Sequence, residues 1–149
     1  MKIEEQKLKA LMKNKLMKAG LTDDHAETAA NILTWSDARG IHSHGAVRVE
    51  YYSERIAKGG INNAPEFKFE KTGPASANFY GDNGCGFVAA TQAMEEAIKM
   101  AKENGIAVVG VKNISHSGCM GYYVEMAAKA DLVGISLCQS DPMVVPFGG

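Results

Sequence analysis

Phe87-Val88-Ala89-Ala90-Thr91-Gln92-Ala93-Met94-Glu95-Glu96-Ala97-Ile98-Lys99-Met100-Ala101-Lys102, followed across Gly105 by Ile106-Ala107-Val108-Val109-Gly110-Val111, decides the fold class. In the first run Ala89, Ala90, Met94, Ala97, Ile98 and Ala101 recur with the period of an amphipathic helix. The second run is continuously apolar, which predicts a strand buried on both faces. A long helix leading into a buried strand is the working unit of an α/β protein.

The pattern extends in both directions. Upstream, Phe67 and Phe69 alternate with Glu66, Lys68 and Glu70, the period of a half-exposed strand. Thr72-Gly73-Pro74 marks a turn, and residues 77–80 read as a second strand. Downstream, residues 122–130 predict a helix and 133–138 another buried strand. The order β-β-α-β-α-β predicts a helix-covered sheet with at least some parallel strands. Three helices precede it. Leu8, Leu11, Met12 and Leu16 give residues 3–18 a helical period, and Gly20 is a stop. Thr22 is a candidate N-cap for a second helix, with Asp23 and Asp24 in its first turn. A third helix is expected from about Ser43 to Gly59-Gly60. Residues 1–60 therefore read as a helical segment and 61–149 as the first part of an α/β domain. The run Val144-Val145-Pro146-Phe147-Gly148-Gly149 is apolar and uncharged, and no helix follows the strand at 133–138. This predicts the front part of a larger domain, with a small complete domain and a docked tail as the alternative.

Composition narrows the class. A chain of 149 residues can bury one sizeable core. Its net charge of -1, without a basic block, argues against nucleic-acid or membrane-surface partners. Met1-Lys2 runs directly into Glu4 and Glu5, unlike a signal peptide, and no apolar stretch is long enough to span a bilayer. Cys85, Cys119 and Cys138 lack C-x-x-C spacing and read as buried free thiols in a reducing compartment. The expectation is a cytoplasmic, metal-free domain.

His44, Arg48 and Tyr52 stand at four-residue steps, which on a helix would put a proton carrier, a planar cation and a phenol on one face. Oxidising a secondary alcohol beside a carboxylate needs a base for the hydroxyl proton, a hydride acceptor and a cation for the carboxylate. Histidine suits the first role and arginine the last, while the hydride calls for a nicotinamide or flavin. The plainer reading is a polar outer face with Tyr52 packed on Val49 and Ile56. His116, in Ser115-His116-Ser117-Gly118, follows the 106–111 strand and precedes a helix, in the crevice where α/β proteins bind ligands. Gly118 and Gly121 leave room there, and a nearby helix N-terminus favours an anion. Its plainer reading is a turn histidine. His42 and His44 form H-x-H with no residues to complete a tetrahedral metal set. Gly84-Cys85-Gly86-Phe87-Val88-Ala89 matches G-x-G-x-x-A. Lys112 and Asn113 stand where a ribose-binding acid belongs, so the match reads as a turn at a helix start.

Taken together, these segments resemble the type 2 malate/L-lactate dehydrogenase family, which is unrelated to the Rossmann dehydrogenases. The resemblance is carried by Asp37-Ala38-Arg39-Gly40-Ile41-His42-Ser43-His44-Gly45-Ala46-Val47-Arg48 with Tyr52, and by Gly81-Asp82-Asn83-Gly84. Val109-Gly110-Val111, Ser115-His116-Ser117-Gly118 and the closing run from Pro142 to Gly149 extend it over the whole chain. The resemblance implies N-terminal helices followed by a three-layer α/β/α domain with a mixed sheet, incomplete here. It implies an oxidoreductase moving hydride between NAD (or NADP) and a small 2-hydroxy acid, usually as a homodimer. The runs around His44 and from Cys138 to Gly149 look like the ureidoglycolate-oxidising branch, which implies (S)-ureidoglycolate going to oxalurate in allantoin degradation. Malate, L-lactate and sulfolactate are the alternatives, as is a non-catalytic remnant that binds a small acid or caps an oligomer. By the same resemblance His116 takes the proton-acceptor position and His44 matches a proton-donor position of the diketogulonate-reducing relatives, so both read as catalytic. His116 is favoured as the base with His44 orienting the substrate, and a coupled role for the two is the alternative. Arg48, Tyr52 and Ser43 would bind substrate, and Ser140 would contact the cofactor. Gly118-Cys119-Met120-Gly121-Tyr122 departs from the branch's Gly-Ala-Ile-Ser-Tyr pattern.

Overall fold

A computed structural model of the protein describes residues 3–139. Helices α1 (Glu5–Ala19), α2 (Asp23–Ala38) and α3 (Val49–Ala57) come first. Gly20 closes α1 at φ 123°, and its N–H bonds back to the Leu16 and Met17 carbonyls. Thr22 caps α2 as expected, its Oγ1 accepting the His25 N–H at 3.4 Å.

The third helix begins later than the sequence suggested. Between α2 and α3 the chain makes two single 3-10 turns, His42–His44 and Ala46–Arg48. Asp37 is the cause. Its carboxylate accepts the Ala46 N–H at 2.7 Å and meets His42 Nδ1 at 2.8 Å. A Cβ at Gly45 would collide with that carboxylate. Bonding of this kind offers the backbone an alternative to the helix ladder. His44, Arg48 and Tyr52 therefore do not share one continuous helix.

Strands β1 (Lys68–Gly73) and β2 (Ser76–Gly84) form an antiparallel hairpin in which Phe69 faces Phe79. Helix α4 (Gly86–Asn104) then crosses to β3 (Val108–Ile114), which runs parallel to β2 with Val111 beside Phe79. The sheet is mixed, as expected, in the order β1-β2-β3. Helix α5 (Met120–Lys129) follows. One apolar cluster joins Leu16, Ile32 and Leu33 to Phe87 and Tyr123, so the first helices share a core with α4 and α5. A smaller cluster of Phe79, Ala89 and Ala93 fastens α4 to the sheet. Full burial of a large apolar side chain stabilises by about 1.5–3 kcal/mol, and these contacts fix where the loops between elements lie.

Two strand expectations need correction. Residues 106–111 are not buried on both faces: Ile106 and Val108 are each 65% exposed, because β3 lies at the sheet edge. Residues 133–138 form no paired strand, and Val133, Ile135 and Leu137 are exposed. In both runs one face packs on a helix, Val109 toward α4 and Gly134 against α5, while the other carries exposed apolar side chains. The thiols differ as well. Cys85 is buried, and burial pushes it up to about 11, whereas Cys119 is half-buried and Cys138 exposed. No described helix is long and apolar enough to cross a membrane.

Candidate active site

The segment joining β3 to α5 crosses directly over the first turn of α4. Gly86 makes this approach possible, since a Cβ there would stand 2.6 Å from the His116 carbonyl oxygen and closer still to that of Ser115. The Gly86 N–H donates to Ser115 Oγ at 2.9 Å. The helix terminus singled out by G-x-G-x-x-A is thus engaged by the protein's own loop. Downstream, Tyr123 Oη donates to the Ser117 carbonyl at 2.5 Å. Helix α5 is in turn tied to α2. Arg39 lies over the Trp35 ring at 4.0 Å and bonds both Glu125 oxygens, at 2.8 and 3.1 Å, while Trp35 Nε1 donates to Glu125 at 2.6 Å. These links hold the His116 loop from three sides.

His116 emerges exposed at the centre of this arrangement. Its Nδ1 lies 2.6 Å from Tyr52 Oη and receives the Gly118 N–H at 3.3 Å. Its ring stacks on that of His44, with centroids 5.8 Å apart and planes 28° apart. Tyr52 is buried, edge-on to Phe87 at 4.9 Å. Arg48 is exposed and anchored by its Nε, which donates to the Ser43 carbonyl at 2.7 Å. Ser43 Oγ lies 2.9 Å from His44 Nδ1.

The electrostatics follow from this crowding. Burial, then the neighbouring His44 and Arg48 charges, pull the His116 pKa below its ordinary value. Burial pushes the Tyr52 phenol up, with Arg48 opposing. Near neutral pH the site therefore holds a neutral imidazole able to accept a proton, a protonated phenol and a permanent cation. Such a set can take a proton from a hydroxyl whose neighbouring carboxylate lies on the guanidinium.

Of the residues the sequence singled out, His44, Tyr52 and His116 meet, with Ser43 and Arg48 alongside. Ser140 lies outside the described residues. His42 is turned away toward Asp37. The Tyr52 hydroxyl, expected at one end of the substrate, also meets His116 Nδ1. Sequence reasoning gave no role to Asp37, which shapes the histidine turn, or to Gly86, which seats the His116 loop. A carboxylate five residues before His42 was the available signal for the first, and a glycine at a helix start for the second.

A family model described as malate/L-lactate dehydrogenase matches residues 3–149. The chain belongs to the malate/L-lactate dehydrogenase family. It is 60% identical over 149 residues to the ureidoglycolate dehydrogenase (NAD(+)) of Escherichia coli strain K12, covering all of this chain and 43% of that protein. It is 40% identical over 148 residues to a malate dehydrogenase of Pyrococcus abyssi, covering 99% of this chain and 41% of that protein. The solved sulfolactate dehydrogenase of Methanocaldococcus jannaschii superposes with a TM-score of 0.84 at 37% identity, over 88% of this chain and 38% of that one. The chain therefore spans less than half the length of these family members.

Proposed function

We propose that the full-length protein is an NAD-dependent 2-hydroxy-acid dehydrogenase that oxidises (S)-ureidoglycolate to oxalurate. The observation that carries the chemistry is the meeting of His116 with His44 and Tyr52, beside an exposed Arg48 whose Nε is anchored on Ser43 and whose planar fork suits a carboxylate. The substrate choice rests on the 60% identity to a ureidoglycolate dehydrogenase, against 40% to a malate dehydrogenase. In this reading Arg48 binds the carboxylate, Ser43 and His44 orient the acid, and His116 takes the hydroxyl proton. NAD, when bound, supplies the hydride acceptor. Among the described residues the start of α4 offers no room for its pyrophosphate, since the Ser115–His116 backbone lies against it. Ser140 is the cofactor contact this reading assigns. Allantoin breakdown, a cytoplasmic setting and a homodimer complete the proposal.

The test is a substrate panel. Full-length protein with NAD should turn over (S)-ureidoglycolate with a kcat/KM at least tenfold above that for malate, L-lactate or sulfolactate. A preference for malate or sulfolactate would move the substrate within the family, and no turnover of any 2-hydroxy acid would end the dehydrogenase reading.

A further inference from the structure

The two contacts at His116 Nδ1 say more than that the ring is held. An amide N–H can only donate, and that of Gly118 is aimed at Nδ1 from 3.3 Å. Gly118 sits at φ 75°, a conformation glycine adopts without strain, and a Cβ there would run into the Phe87 ring. A proton on Nδ1 would set two N–H groups head to head. The neutral ring therefore keeps its lone pair on Nδ1 and its hydrogen on Nε2. Tyr52 Oη, 2.6 Å from the same nitrogen, must then donate to it. Nε2 is then already protonated and cannot receive a second proton.

We propose that the substrate's hydroxyl proton enters His116 at Nδ1 by way of the Tyr52 phenol, making Tyr52 a catalytic proton carrier. This rests on the dehydrogenase reading above. The substrate O–H bond breaks and its proton joins Tyr52 Oη as the phenol's own proton passes to Nδ1, giving an imidazolium. NAD, when bound, would supply the acceptor for the hydride that leaves the adjacent C–H bond as the C=O bond forms. In the reverse direction the imidazolium returns a proton to the phenol, which passes its own to the new alkoxide oxygen. Burial keeps Tyr52 protonated, as a group that receives one proton while releasing another requires. Nε2–H remains a donor for the substrate carboxylate or for its reacting oxygen.

Two measurements test this. The first uses the full-length protein with 15N-labelled histidine, above the imidazole pKa, with His116→Gln to assign the signals. His116 should show a pyridine-type Nδ1 and a pyrrole-type Nε2; the opposite pattern, or averaging of the two, overturns the proposal. The second compares full-length wild type with Tyr52→Phe at matched folded content. The variant should lose at least about 100-fold in kcat, with KM for the hydroxy acid changed only a few-fold. A kcat within tenfold of wild type overturns the relay. If wild type turns over no hydroxy acid, the dehydrogenase reading fails while the labelled spectrum still decides the tautomer.

Discussion

Gly86→Ala sets helix propensity against loop packing. In a helix interior, alanine is favoured over glycine by about 1 kcal/mol, so propensity alone predicts a neutral or stabilised protein. The structure predicts the reverse. Ordinary contact begins near 3.4 Å, and the new methyl would lie 2.6 Å from the His116 carbonyl oxygen and closer still to that of Ser115, so that backbone must retreat by about 0.8 Å at His116 and by more at Ser115. It has little room to do so, since Tyr123 holds the Ser117 carbonyl and Gly86 itself bonds Ser115. Overpacking against a fixed backbone costs about 1–3 kcal/mol, which against the propensity gain leaves a net loss of up to about 2 kcal/mol. At roughly 2–4 °C per kcal/mol for a chain near this size, the melting midpoint should fall by several degrees. The same displacement would stretch the Tyr52–His116 bond beyond its 2.6 Å, and a misplacement approaching 1 Å can cost about 100-fold in rate. Circular-dichroism melts of this chain and initial rates of the full-length protein read the two effects. A variant that melts at or above the wild-type midpoint with normal turnover would refute the claim that Gly86 seats the catalytic loop.

Three further outcomes follow from the geometry. Arg48→Lys should raise KM for the hydroxy acid about tenfold with a smaller change in kcat, because an ammonium cannot reproduce the planar fork; an unchanged KM would remove Arg48 from the carboxylate role. Asp37→Ala removes the acceptor of the Ala46 N–H and the His42 contact, and should lower stability by about 1–3 kcal/mol in urea titrations, with wild-type midpoints counting against its role in the turn. His25 and His116 both have pKa values lowered first by burial, so below the ordinary histidine pKa the unfolded chain binds more protons than the folded one. Stability should therefore fall as pH drops through about 6.5 toward the folded values, and His25→Phe should flatten that slope; a slope of opposite sign would contradict the burial of these rings.

Much of this fold was legible because its signals are local. The periods of α1, α2 and α4, the Thr22 cap and the Gly20 stop each depend on a few neighbouring residues, and the structure reproduces them. The start of α3 was misread because Asp37 reaches forward nine residues to Ala46, a contact that periodicity does not encode. The runs at 106–111 and 133–138 announce burial, but composition does not say which face a neighbour covers, and among the described residues Ile106, Val108, Val133, Ile135 and Leu137 stand exposed. At the site, residue chemistry selected His44, Arg48 and His116. The positive φ of Gly118 and the contact of its N–H with His116 Nδ1 depend on how the loop before α5 is seated, which no spacing rule contains.

The most direct test of the central claim is the rate of NADH oxidation with oxalurate by full-length wild type and His116→Ala. The account predicts measurable wild-type turnover and a loss of about 100-fold to 10,000-fold in kcat for the variant, with its fold intact by circular dichroism. A folded His116→Ala protein that retains more than a tenth of the wild-type rate would contradict it.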